Sequence, residues 1–151
     1  MTQEDKELLL KDLSARLPYH VKVKIWLEDG TTEEGPLDLE HNYANVLLDA
    51  FYYNYIINIR PYLRSMSSMT EEEKINLYKV TGFYYLSNNE LQNDKWYSFK
   101  NSIENNKLFF PYPIWLDDSQ KVFDWLNAHH FDYRGLIPMG LALEAQEGMY
   151  K

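Results

Sequence analysis

Apolar and polar positions along the chain follow two periods. Leu9, Leu10, Leu13 and Leu17 recur at helical spacing and predict an amphipathic helix over residues 2–17. Thr2 and Asp5 stand at capping spacing at its start, and Pro18 restricts Leu17 and ends it. The period then drops to two. Val21, Val23, Ile25 and Leu27 alternate with Lys22, Lys24, Trp26 and Glu28, the pattern of a half-buried strand. Asp29-Gly30 is a hairpin signal, because glycine accepts positive φ at no steric cost. A more polar strand is predicted near 31–40, with Leu37 and Leu39 facing one way, and a short one at Val46-Leu47-Leu48. A fourth spans about 51–60, with Phe51, Tyr53, Tyr55, Ile57 and Ile59 on its inward phase and Pro61 as its stop.

Helical spacing returns in the second half. Thr70 and Glu73 form a capping box ahead of a helix near 70–80 that carries Ile75, Leu77 and Tyr78. Trp96, Phe99 and Ile103 have helical spacing, but residues 82–116 give no readable topology. Asp117 or Asp118 caps a helix near 119–129, with Val122, Trp125, Leu126 and His129 on one face. Phe131 to Ala145 adds a turn and a short strand, punctuated by Gly135 and Gly140. These elements predict an α+β fold: an N-terminal helix, a four- or five-stranded antiparallel curled sheet or SH3-like small barrel, and a helical C-terminal half packed on it. One domain over 1–151 is expected, with a weak boundary near 65–70 between the β-rich and helical halves.

Composition narrows the chemistry. A chain of 151 residues without cysteine has no disulfide, thiolate nucleophile or thiolate metal site. The net charge of −8 has the wrong sign for a typical nucleic-acid binder, and no basic block appears in any segment. No signal peptide and no apolar stretch of bilayer-spanning length is visible, so a cytoplasmic protein is expected. Tyrosine (13) and tryptophan (4) are abundant, and both suit protein interfaces.

The most tempting constellation is His129-His130-Phe131-Asp132-Tyr133-Arg134. Two imidazoles and a carboxylate could ligate a metal or act as a base with its orienting acid, the centre of a hydrolase-like enzyme. The bland reading is stronger. A histidine at a helix end suits the dipole and the last carbonyls, adjacent histidines point in different directions, and Arg134 competes for Asp132. Neither a nucleophile elbow nor a phosphate-cradling glycine loop is present. Catalytic residues, metal and cofactor are therefore expected to be none.

Residues 21–60 carry a partial resemblance to a known family. Val-x-Val-x-Ile, Asp29-Gly30, Gly35-x-Leu37, Asn42, Asn45 and Leu48-Asp49-Ala50 resemble the Sm-like motif of RNA-binding small barrels. The resemblance implies contacts to uridine-rich RNA from Asn42, Asn45 and Arg60. Asn42 stands where that family usually has aspartate, and Pro61 follows the arginine where it has glycine. A second resemblance covers both ends of the chain. Residues 61–73, Trp125 to Ile137 and Gly140 to Ala145 resemble small uncharacterised proteins of gut-bacterial prophages and mobile elements. It implies a bacterial or phage setting and brings no activity with it. The function expected is a non-enzymatic module acting through protein–protein contacts, with Tyr52, Tyr62, Arg64, Tyr133 and Arg134 as candidate interaction residues. Its protein partner is unknown, and nucleic acid and membrane are not expected partners.

Overall fold

In the computed structural model the chain is α+β, and residues 1–37, 56–81, 91–108 and 116–150 are described. It folds into two compact units, Met1–Leu63 with Leu136–Lys151, and Arg64–Gly135. The chain therefore leaves the first unit between Leu63 and Arg64 and re-enters it after Gly135.

In the first unit, helix α1 (Gln3–Arg16) starts at a complete capping box. The Asp5 N–H donates to the Thr2 hydroxyl at 3.1 Å and the Thr2 N–H to the Asp5 carboxylate at 2.8 Å. The Thr2 N–H, and after it the Thr2 side chain, hold the Asp5 carboxyl below its ordinary range. A short 3₁₀ turn at Leu17–Tyr19 follows, and His20 (φ 54°) turns the chain into strand β1 (Val21–Leu27). Strand β2 (Thr32–Leu37) returns antiparallel through the Asp29-Gly30 turn, where Gly30 has φ 83° and the Asp29 carboxylate accepts from the Thr31 N–H at 2.9 Å.

Strand β3 (Ile56–Leu63) pairs antiparallel with β1, with Ile25 opposite Ile59 and an irregularity at Trp26/Leu27. Strand β4 (Leu143–Glu144) then adds to β3 in parallel. The order β2-β1-β3-β4 gives a curled mixed sheet, not the wholly antiparallel one expected. Pro61 also does not end its strand: β3 continues to Leu63. The Tyr62 carbonyl is directed to the β1 side, where it accepts from the Tyr150 hydroxyl, and the Leu63 carbonyl to β4, where it accepts from Ala145. By alternation, the missing N–H of Pro61 falls on the side away from β1 and costs that ladder nothing.

Period two is realised in the core. Val21, Val23, Ile25, Leu37, Ile59 and Leu63 are buried with Leu9 and Leu13 of α1 and with Leu136, Leu141 and Ala142 of the tail, while Leu27 packs on them half-buried. The expected strand at Val46–Leu48, the first half of the fourth strand with Tyr53 and Tyr55, and Asn42, Asn45 and Tyr52 lie outside the described residues.

The second unit is helical. Helix α2 (Glu71–Val80) begins at the Thr70/Glu73 capping box, α3 spans Leu91–Glu104 and α4 spans Leu116–Ala128. Asp117 and Asp118 occupy the first turn of α4 and do not cap it, because the helix starts earlier than the apolar stripe suggested. Their charges still suit the positive end of the dipole. Phe99 and Ile103 are fully buried, as their spacing required, with Met66, Met69, Leu77, Tyr78, Val122, Leu126 and Phe131. Trp125 packs against this core but is only half-buried.

Candidate functional site

The second unit gathers the histidine cluster around the end of α4. The Phe131 N–H donates to the Leu126 carbonyl at 3.0 Å and the His130 N–H to the Asn127 carbonyl at 3.1 Å, with His130 at φ 59°. This is a Schellman termination with histidine at the left-handed position that usually takes glycine, and Phe131 shares the apolar core with Leu126. His129 sits one residue earlier. Its Nδ1 lies 2.8 Å from the Trp125 carbonyl, and since a carbonyl only accepts, Nδ1 carries the proton. The ring also stacks on Trp125 with centroids 3.9 Å apart.

Arg64 locks this end in place. Its N–H donates to the His130 carbonyl, and the Asp132 N–H donates to the Arg64 carbonyl, both at 2.8 Å. The Arg64 guanidinium meets Glu73 with two bonds of 2.7 and 2.9 Å and lies 4.2 Å from the Phe131 ring centroid. Burial would raise the Glu73 carboxyl, but the bonds from Arg64 and from Thr70 outweigh it and hold the group below its ordinary range. His129, His130 and Asp132 thus each have a place in helix termination and backbone pairing. Among the described residues no three histidine or carboxylate side chains converge as metal ligands.

Tyr133 and Arg134 fall beside each other on the same unit. The Tyr133 hydroxyl donates to Asn127 Oδ1 at 3.1 Å, its ring lies 5.3 Å from that of Phe123, and the Arg134 guanidinium lies 4.8 Å from the Tyr133 ring centroid. Phe123 is 38% exposed, which leaves an aromatic surface in solvent on one side of Tyr133.

In the first unit, Arg60 and Tyr62 lie on the sheet face opposite the core. The alternation that buries Val21, Val23 and Ile25 turns Lys22, Lys24 and Trp26 to this outer face, and register sets Arg60 opposite Lys24 and Asn58 opposite Trp26. Lys24 Nζ lies 5.7 Å and Arg60 Cζ 5.6 Å from the Trp26 ring centroid. From β2, Glu34 Oε1 accepts from Lys24 Nζ at 2.8 Å and from the Tyr62 hydroxyl at 2.9 Å. The bond to Glu34 raises Lys24 above its ordinary value, and those from Lys24 and Tyr62 lower Glu34. Burial, with the bond to Glu34, raises Tyr62.

Of the eight site residues named from sequence, Arg60 and Tyr62 therefore share one face, Arg64, Tyr133 and Arg134 belong to the other unit, and Asn42, Asn45 and Tyr52 lie outside the described residues. The strip formed by Lys22, Lys24, Trp26 and Arg60 is new. Its signal was present in the alternation of β1, but charge summed by segment averaged it away.

The chain matches no protein-family model, no curated protein and no solved structure. Among the described residues no helix is long and apolar enough to cross a membrane.

Proposed function

We propose that this chain is a non-enzymatic binding module of a bacterial prophage or mobile element, acting in the cytoplasm through protein–protein contacts. The observation that carries the reading is the Phe123–Tyr133–Arg134 cluster. Aromatic and arginine side chains dominate binding energy where they are ordered and can be desolvated. Here the Tyr133 hydroxyl is already held by Asn127 and Arg134 rests on the ring, so little ordering is left to be done on association. The structural duties of His129, His130 and Asp132 favour binding over catalysis. The setting rests on the resemblance of residues 61–73, 125–137 and 140–145, and an SH3-like small barrel is the finer description we propose for the sheet and its preceding helix.

The alternative of an Sm-like RNA binder draws on Arg60, the one member of its three-residue set among the described residues, now placed beside Trp26.

The test is affinity capture from a bacterial lysate, with the parent chain and with Phe123→Ser and Arg134→Ala. The expected result is a protein that survives nuclease treatment on the parent and is lost on both variants. Capture that nuclease abolishes, or that neither variant weakens, would overturn the reading.

A further inference from the structure

The outer face of the first unit's sheet has a charge opposite to that of the molecule. Among the described residues, Lys22, Lys24 and Arg60 stand there against one carboxylate, Glu34. A strip of net charge +2 within a chain of −8 leaves −10 for everything else. Lys22 and Lys24 are two strand residues apart, about 7 Å, and Arg60 is the cross-strand neighbour of Lys24 at about 5 Å. The Trp26 ring stands one rung along the same face, and both cations are within the distance at which an indole ring attracts them.

We propose that this strip is a docking site for an acidic peptide segment of a partner protein, one that carries carboxylates at alternate residues of an extended chain. The ligand class is indicated by a carboxylate of the chain itself. Glu34 Oε1 takes hydrogen bonds from both Lys24 and Tyr62, so the donors of this face are arranged for a carboxylate oxygen. An extended peptide repeats its side chains on one face every two residues, which is the Lys22–Lys24 spacing. A nucleic acid fits less well. The Trp26 ring is already approached by two cations and is not a vacant platform for a base. Three cations also give few phosphate contacts, and the net charge of −8 opposes a long polyanion. The site is separate from the Phe123–Tyr133–Arg134 cluster, and the proposal stands whether or not that cluster binds a protein.

Fluorescence anisotropy on the full chain tests it, with three labelled probes: a short peptide with glutamate at alternate positions, the same peptide with glutamine in their place, and an oligouridylate of similar length. The glutamate peptide should bind, weaken with added salt, and lose affinity by about tenfold when Lys22→Gln and Arg60→Gln are combined. Lys22 is exposed and Lys22→Gln alone should weaken binding without touching the fold, which covers the case of an unstable Arg60 variant. Glu34→Gln removes the competing carboxylate and should tighten binding. Absence of binding, equal binding of the glutamine peptide, indifference to Lys22→Gln, or preference for the oligouridylate would each overturn the proposal.

Discussion

The hydroxyl of Tyr150 donates to the carbonyl of Tyr62 at 2.6 Å, and the same oxygen accepts from the Lys22 N–H at 3.1 Å. The β1–β3 pairing ends at Val23 and Pro61, so Lys22 and Tyr62 would form its next rung. A phenol occupies that rung instead. It satisfies one donor and one acceptor that the separating strands would leave without a backbone partner, and it ties the C-terminal segment to the sheet through residues 88 and 128 positions away in sequence.

Tyr150→Phe keeps the ring and removes the bridge. It should destabilise the chain by about 1–2 kcal/mol, the net worth of two hydrogen bonds at partly solvated groups, read as a lower urea midpoint at unchanged slope. Burial raises the Tyr150 hydroxyl to about 12, against about 10 in the unfolded chain. A raised folded value means that this stabilisation is complete below pH of about 10 and is lost as pH climbs toward 12. The parent should therefore lose stability across that alkaline window more steeply than the Phe variant. Parallel curves would remove the bridge from the account.

His130 offers a separate test, of backbone geometry. It occupies the left-handed residue of the Schellman termination at φ 59°. Ala and Gly variants both lose the imidazole, but only glycine tolerates that φ without strain. His130→Gly should be more stable than His130→Ala by roughly 1–2 kcal/mol. Equal denaturation midpoints for the two would show that the left-handed geometry is not what the position demands.

How much of this was legible in sequence follows from the range of each interaction. The caps at Thr2 and Thr70, the Asp29-Gly30 turn, and the burial of Val21, Val23, Ile25, Phe99 and Ile103 rest on residues within one turn or one strand, where spacing is geometry. The parallel strand Leu143–Glu144, the passage of β3 through Pro61 and the hydroxyl bridge of Tyr150 depend on segments far apart, and no local pattern encodes them. The candidate sites divide likewise. Tyr133 and Arg134 are neighbours in sequence and stay together, whereas the placing of Arg60 beside Lys24 and Trp26 needed the β1–β3 register.

The ion pair of α1 joins residues at i, i+4 spacing, yet it lies in the core and not on the helix surface. Asp12 and Arg16 are both fully buried, joined by bonds of 2.7 and 3.1 Å. Removing one partner takes the paired carboxylate or guanidinium away from a charge that is fully buried. Asp12→Ala should cost roughly 3–5 kcal/mol, far above an exposed pair at the same spacing. A loss below about 1 kcal/mol in urea denaturation would overturn the buried pair as a major support of α1.

The Arg64–Glu73 pair links a helix start to the end of α4, and its pH dependence can be predicted with its sign. Glu73 accepts from Thr70 within the capping box and from Arg64 outside it. Its folded carboxyl is held low, so its stabilisation is present above the unfolded value of about 4.5 and is lost as pH falls through the folded one. Glu73→Gln keeps a competent capping partner and removes the charge, together with one of the two oxygens that accept from Arg64. At neutral pH it should cost about 1 kcal/mol or less, because both side chains remain partly exposed to solvent screening. The gap between parent and variant should close as the solution is acidified below pH of about 4.5, since the parent then carries a neutral acid where the variant carries a neutral amide. Urea midpoints measured at a series of pH values decide it. A gap that persists in acid would assign the loss to altered hydrogen-bond geometry and not to the charge.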